Sequence, residues 1–384
     1  MEDVFVAGVG MIKFGRYPEE TVPSLGAKAV KLALDDAGVQ LQDIEMMSAG
    51  NLYRTNMVGQ DILKEIGMTG IPVYNVANAC ATGATALREA YFAVASGAYD
   101  VALAVGVEQM GKKGLLGGTG GGDPAYITEG VMGTGTMPGV FGMAGMEHMR
   151  KYGTTQAQFA QISVKNHEHA MGNPLSQYHV RLSLEDVLNS RTVAYPNTLY
   201  MCCPTGDGAA ATVLMNKSKI KQYTSQPIKI AASALTTDPY TSRDLTFPDI
   251  NTMTRNAAEQ AYEQAGLGPE DINSVELHDC FATAELLHYE NLMLAPEGEG
   301  GRWVDEKFTD LAGPQGDKRW TPVNTSGGLL SKGHPLGATG VANLCEITWQ
   351  MRGQAGDRQV PDYKAGMAHV IGLGSACTVH ILTK

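Results

Sequence analysis

Four short stretches carry the residue types that perform acyl and proton transfer. In "NVANACATGATALRE" (75–89), Cys80 stands between a short apolar run and a helix-like segment, flanked by Ala79, Ala81, Thr82 and Gly83. A thiol in the first turn of a helix faces unpaired N–H groups and the positive end of the helix dipole, both of which favour a thiolate. The small neighbours leave those N–H groups open to a substrate oxygen. The plainer alternative is a buried structural thiol, the common fate of a free cysteine. "SVELHDCFATAELL" (274–287) places His278 and Cys280 just beyond a short strand, on one face of an extended segment with Asp279 on the other. "NTSGGLLSKGHPLGATG" (324–340) brings five glycines and one imidazole, His334, into a loop before a helix. "VIGLGSAC" (370–377) is a glycine-punctuated turn able to present the N–H of Gly372.

These residues need a scaffold. "VFVAGVG" (4–10), "DVALAVGVEQM" (100–110) and "HVIGLGSACTVHIL" (369–382) are apolar on both faces, as strands in the middle of a sheet are. "LGAKAVKLALDDAGV" (25–39) reads as a helix with a small-residue face of Ala29, Ala33 and Ala37, stopped by Gly38. Alternating strands and helices predict an α/β protein. Residues 29–44 also match 257–272, including Ala29/Ala257, Ala33/Ala261, Ala37/Ala265 and Gly38/Gly266. "ATGATALRE" (81–89) is echoed by "ATGVANLCE" (338–346). The chain reads as a duplicated α/β half.

On that reading the first half covers 1–112 and 201–225, and the second 226–384. Residues 113–200 form an inserted loop domain, which includes the glycine-rich "GLLGGTGGGDP". The tract lacks a following GK[ST], so it is not read as a phosphate loop. Long irregular excursions usually cover a binding site.

Composition narrows the function. A net charge of -11 spread over scattered acids argues against a nucleic-acid surface. The six cysteines show no CxxC pair and no metal spacing, so reduced thiols in a cytoplasm are expected, with no metal site. The start "MEDVFVAGVGMIKFG" lacks a basic, apolar leader, and no run approaches the length of a membrane span, so neither export nor membrane insertion is expected. Cys202, Cys203, Cys345 and Cys377 read as core or loop thiols, and the histidines other than His278 and His334, among them His288 and His369, as ordinary ones.

The ordered set "NACATG", "HDCF" and "GGLLSKGHPLGATG" resembles the thiolase family, in its sterol-carrier-protein X type branch, over essentially the whole chain. The resemblance implies a duplicated five-layer α/β/α/β/α core and cleavage of a 3-oxoacyl-CoA, or the reverse Claisen condensation. Cys80 matches the nucleophile and His334 its activator. Cys280 matches the acid/base cysteine of this branch, and His278 takes the place of an asparagine in better-known members. The N–H groups of Cys80 and Gly372 match the oxyanion hole. Val370 stands where those better-known members carry their acid/base cysteine. Coenzyme A enters as a substrate, no cofactor is bound permanently, and a homodimer is expected, with room for a small zinc-ribbon/OB-fold partner. Two alternatives remain: a decarboxylating condensing enzyme of ketoacyl-synthase type, and a non-catalytic acyl-CoA-binding subunit.

Overall fold

The computed structural model describes residues 1–384 except 55, 112–135, 225–226, 240–249, 316–319 and 374–375. The first half builds β1 (Val4–Met11), α1 (Val22–Ala37), β2 (Met46–Gly50), α2 (Val58–Ile66), β3 (Val73–Val76), α3 (Thr82–Ala95) and β4 (Val101–Gln109). Helices α4 (Met137–Tyr152) and α5 (Gln156–Ala170) come next, then β5 (Asp207–Asn216). The second half supplies β6 (Ile228–Thr236), α6 (Asn251–Ala265), β7 (Ser274–Glu276), α7 (Ala282–Asn291), α8 (Thr339–Arg352), β8 (Ala365–Gly372) and β9 (Ala376–Thr383).

The strands run in the order β3-β2-β4-β5-β1-β6-β9-β8-β7. Each half repeats the other's order outward from the centre. The two half-sheets are joined edge to edge by a short antiparallel contact of β1 with β6, at Phe5↔Lys229 and Val6↔Ile228. The position of β3 is answered in the second half by a parallel bridge between Val275 and Val323. Helices α1 and α2 cover the outer face of the first half, α3 and α8 lie between the two half-sheets, and α6 with α7 covers the second. That is a five-layer α/β/α/β/α body, and its apolar core divides accordingly.

The sequence repeat is visible in the helix ends. Thr21 caps α1 by accepting the Ser24 N–H, and Gly38 closes it at φ 68°; α6 closes the same way on Gly266 at φ 65°. A positive φ at that position favours glycine. Ala29, Ala33 and Ala37 are buried as expected. They are small because β1 is close: a Cβ on Gly8 or Gly10 would fall 2.5 Å or less from the α1 backbone.

Two expectations change. "HVIGLGSACTVHIL" is not one strand but the hairpin β8–β9, paired antiparallel from Ala365↔Thr383 to Gly372↔Ala376. The excursion after β4 is not all loop. Its glycine-rich tract lies outside the described residues, but α5, capped by Thr155, buries Phe159, Ile162, Lys165 and Asn166 against the second half. Burying one such large apolar side chain stabilises by about 1.5–3 kcal/mol. No helix among the described residues is long and apolar enough to cross a membrane.

The interior holds many neutral histidines. Burial lowers His169 and His278 to about 3 and His380 to about 4, and pushes His288, His334 and His369 well down. The unfolded chain therefore binds protons that the folded chain refuses. Stability is complete above the ordinary histidine range and is lost as pH falls through it, by about 1.4 kcal/mol per unit per histidine. Denaturant melts from about pH 7 down to 5 should show a steep loss of stability with uptake of several protons on unfolding. A flat profile would contradict the buried neutral rings.

Candidate active site

Cys80 sits in a tight turn made by its neighbours. Ala79 takes a positive φ of 47°, an uncommon conformation for a residue with a side chain. Thr82 holds the turn: its hydroxyl donates to the Ala79 carbonyl (2.6 Å) and accepts the Asn78 N–H (2.8 Å). Ala81 is the N-cap of α3, so Cys80 lies one residue ahead of the cap rather than in the first turn of the helix. Gly372 at the end of β8 presses on this turn, where a Cβ would meet the Asn78 carbonyl at 2.3 Å.

The second loop arrives through glycine contacts. A Cβ on Gly83 of α3 would lie 2.4 Å from the Gly337 carbonyl, and one on Gly340 of α8 2.3 Å from the Ala84 nitrogen. The starts of the two central helices therefore touch backbone to backbone, and the loops ahead of them converge. Cys80, His278 and His334 are all buried, and their donor atoms lie within 4.8 Å of one another. The rings of His278 and His334 meet edge to face with centroids 5.2 Å apart. One soft thiol and two imidazoles would also be the donors for a soft divalent cation.

Hydrogen bonding decides the tautomer of His334. The Thr339 hydroxyl donates to the Pro335 carbonyl (3.0 Å), so it accepts from His334 Nδ1 at 2.8 Å. The proton is on Nδ1, and Nε2, which has no partner among the described residues, carries the free lone pair. Burial pushes the Cys80 thiol up to about 12 and His334 well down. Burial thus opposes the thiolate that a position just ahead of a helix favours. Both shifts favour the uncharged pair, S–H beside a neutral imidazole with a free Nε2 lone pair.

"HDCF" is tied down residue by residue. The Leu277 N–H donates to Asn324 Oδ1 (2.9 Å), and the Cys203 N–H donates to the Cys280 carbonyl (2.9 Å). Asp279 points to the other loop, accepting the N–H groups of Leu329 (2.7 Å) and Leu330 (3.2 Å) and the Asn166 amide (2.8 Å). It clamps a π-helical turn, Gly328–Lys332, that leads into His334. A Cβ on Gly328 would lie 2.2 Å from that carboxylate. Cys280 is buried and is not a member of the Cys80–His278–His334 cluster. Its thiol is pushed well up by burial, with the Cys203 and Cys80 sulfurs near enough to add to the shift.

Three features escaped the sequence. Asp279 and Asn166 join the loops across 113 residues of chain. Glu108 at the end of β4 is buried, raised to about 7 by burial, and accepts the Leu52 N–H (2.8 Å) and the Asn51 amide (3.0 Å); its charge opposes a Cys80 thiolate. Cys203, set aside as a core thiol, backs Cys280. Only the alternation around Asp279 hinted at any of these. A surface cavity of about 810 Å³, bordered by Arg255, Glu297, Arg302 and Trp303, includes none of the clustered residues.

Comparison with known proteins assigns this architecture. A model of the thiolase N-terminal domain matches residues 4–181, and one described as thiolase C-terminal domain-like matches residues 234–384. The chain belongs to the thiolase family. It is 41% identical over 395 residues to "Sterol carrier protein 2" of Homo sapiens, covering 98% of this chain and 71% of that protein. It is 39% identical over 399 residues to "Acetyl-CoA acetyltransferase" of Methanothermobacter thermautotrophicus, covering 100% of each. A solved "Ltp2-ChsH2(DUF35) aldolase" shares the fold, with a TM-score of 0.84 and 21% identity over 98% of this chain and 97% of that one. The family and its acyltransferase members make this a thiolase-type acyltransferase.

The protonated resting state of Cys80 is testable. Its alkylation by iodoacetamide, followed at the peptide by mass spectrometry, should accelerate about tenfold per pH unit from about pH 7 to 9 without a plateau. A plateau near neutrality would show a low-pKa thiolate instead.

Proposed function

We propose that the protein cleaves a 3-oxoacyl-CoA with coenzyme A, or runs the reverse Claisen condensation, through an acyl group carried on Cys80. The observation that supports this most is the His334 tautomer beside the buried thiol: a free Nε2 lone pair with Nδ1 committed to Thr339. In cleavage, Nε2 takes the thiol proton while the sulfur attacks the 3-keto carbon. The bond between carbons 2 and 3 then breaks, and its electron pair leaves as the enolate of the shorter thioester. His334, now protonated, and His278 donate hydrogen bonds to that enolate oxygen, and Cys280 supplies a proton to carbon 2. The thiol of coenzyme A then enters, gives its proton to the Cys280 thiolate and attacks the acyl carbon, expelling the Cys80 thiolate, which takes back its proton from His334. The acyl oxygen is held meanwhile by the N–H groups of Cys80 and Gly372. The contact of Gly372 with the Asn78–Ala81 turn favours that pairing.

Cys280 argues for thiolysis over a decarboxylating condensation, since loss of carbon dioxide makes the carbanion without a base. The four side chains also argue against a merely binding subunit. The inserted segment 113–200 is assigned to covering coenzyme A, because its glycine-rich tract follows β4, the strand that ends at Glu108 and Gln109. A homodimer is supported by β3, which ends the sheet with Tyr74 exposed and leads directly into the Cys80 turn. A small partner subunit is supported by the name of the DUF35-containing structural relative. Six free cysteines suit a reducing compartment such as the cytoplasm.

Incubation with acetyl-CoA should place an acetyl group on Cys80, detectable by mass spectrometry, and Cys80→Ser should abolish both the adduct and turnover. An adduct on Cys280 would reverse the assignment. Cys280→Ala should still acylate at Cys80, yet lose carbon–carbon cleavage and exchange of acetyl-CoA α-protons with deuterated water by about two to four orders of magnitude. Exchange near the wild-type rate would move the proton to His278, His334 or water.

A further inference from the structure

The second half-sheet ends where the site begins. Strand β7 runs parallel to β8 through Gly366↔Ser274, Met367↔Val275 and Ala368↔Glu276, and there the ladder stops. The next residues of β7's chain peel away into "HDCF", leaving main-chain donors in a dry interior. A buried N–H without a partner costs about 1–3 kcal/mol. The Leu277 donor is taken by Asn324. The His278 N–H is taken by the side chain of His369, whose Nδ1 accepts it at 3.4 Å. His369 directly follows Ala368, the last residue in the ladder, so an imidazole carries the sheet's pairing one step beyond its end.

That contact fixes the chemistry of His369. A nitrogen that accepts carries no proton, and burial keeps the ring neutral, so the proton is on Nε2. His369 packs edge to face on His288 with centroids 4.5 Å apart, and both are fully buried. The ring pair His334–His278 is thus linked through the His278 main chain to the ring pair His369–His288, a dry row of four buried imidazoles. Among the described residues, neither ring nitrogen of His278 has a protein partner, and no other side chain hydrogen-bonds to its main chain. Filling this space with leucine or methionine would avoid burying unpaired ring nitrogens, each of which carries a desolvation cost. The polar row therefore calls for a purpose other than packing.

We propose that His369, backed by His288, is a positioning residue for the reaction at Cys80: it anchors the main chain of His278 and so fixes where that imidazole stands opposite His334. The inference rests on the thiolase mechanism above, in which His278 helps hold the enolate but takes no part in moving the acyl group on or off Cys80. A displaced His278 impairs carbon–carbon cleavage and α-proton exchange and spares acylation. A misplacement of about 1 Å can cost on the order of 100-fold.

The test compares three substitutions. His369→Asn keeps an acceptor oxygen near the position of Nδ1, His369→Gln places its amide near Nε2 instead, and His369→Leu removes both. Two rates are measured on each: acetylation of Cys80 by acetyl-CoA, and exchange of acetyl-CoA α-protons in deuterated water. H369L and H369Q should lose about 10- to 100-fold in exchange with acetylation unchanged, and H369N should recover exchange to near the wild-type rate. Should H369L fail to fold, the contrast between Asn and Gln decides alone. Equal exchange in Asn and Gln variants, or an equal fall of both rates alongside a lower Tm, would reduce His369 to a core residue and overturn the proposal. Wild-type protein that neither acetylates nor exchanges overturns the thiolase reading itself, and this inference with it.

Discussion

Everything at the centre of this protein depends on two helices beginning in contact. Gly83 and Gly340 occupy equivalent places in the repeated "ATG" segments, and each leaves room for the other's loop or helix backbone. Gly106 on β4 does the same, since a Cβ there would come within 2.1 Å of the Gly337 carbonyl. A methyl group at any of these points would push α3 and α8 apart. Overpacking of this kind costs about 1–3 kcal/mol where the surroundings can move. Here the neighbours are backbone atoms, and the displaced parts are the loops carrying Cys80 and His334. The duplicated architecture brings two equivalent helix starts to the midplane, and the glycines turn that symmetry into one shared site.

Around that contact the protein spends stability on buried charge. Lys332 pairs with Glu276 at 3.3 Å and donates to Asn343 at 3.1 Å, just ahead of Gly333 and His334. Arg358 pairs with Glu346 at 2.8 Å. Lys165 of the inserted helix reaches Glu285 and the Val323 carbonyl, while its neighbour Asn166 holds Asp279. Buried ion pairs are poor sources of net stability, but breaking one by removing a partner costs about 3–5 kcal/mol. They tie the segment ahead of His334 to β7 and α8, and the inserted helix to α7. The insertion is thus part of the frame of the site as well as its proposed cover.

The site they frame is dry, and dryness sets its acid–base character. Cys80 and Cys280 are kept protonated, and His278 and His334 are kept neutral, each chiefly by burial. Charge on any of the four is therefore unfavourable at rest. Main-chain N–H donors act more strongly in such a medium than in water, which suits the role proposed for those of Cys80 and Gly372.

Much of this was legible in the residues. Alanines every four positions, glycine stops and apolar runs disclosed the α/β halves, because helix and strand periods are local properties of the chain. The order of "NACATG", "HDCF" and "GHPLGATG" disclosed the family. The sequence could not tell that Cys80 lies ahead of its helix with its thiol raised rather than lowered, since burial is a property of the whole body. It could not pair Asp279 with Leu329 and Leu330, or His369 with His278, because those contacts span about 50 and 91 residues and leave no local period. Nor could it show that the excursion after β4 contains a helix inside the core. Local pattern determined which residues are available for chemistry; the meeting of two half-sheets around α3 and α8 decided which of them touch, and in which protonation state.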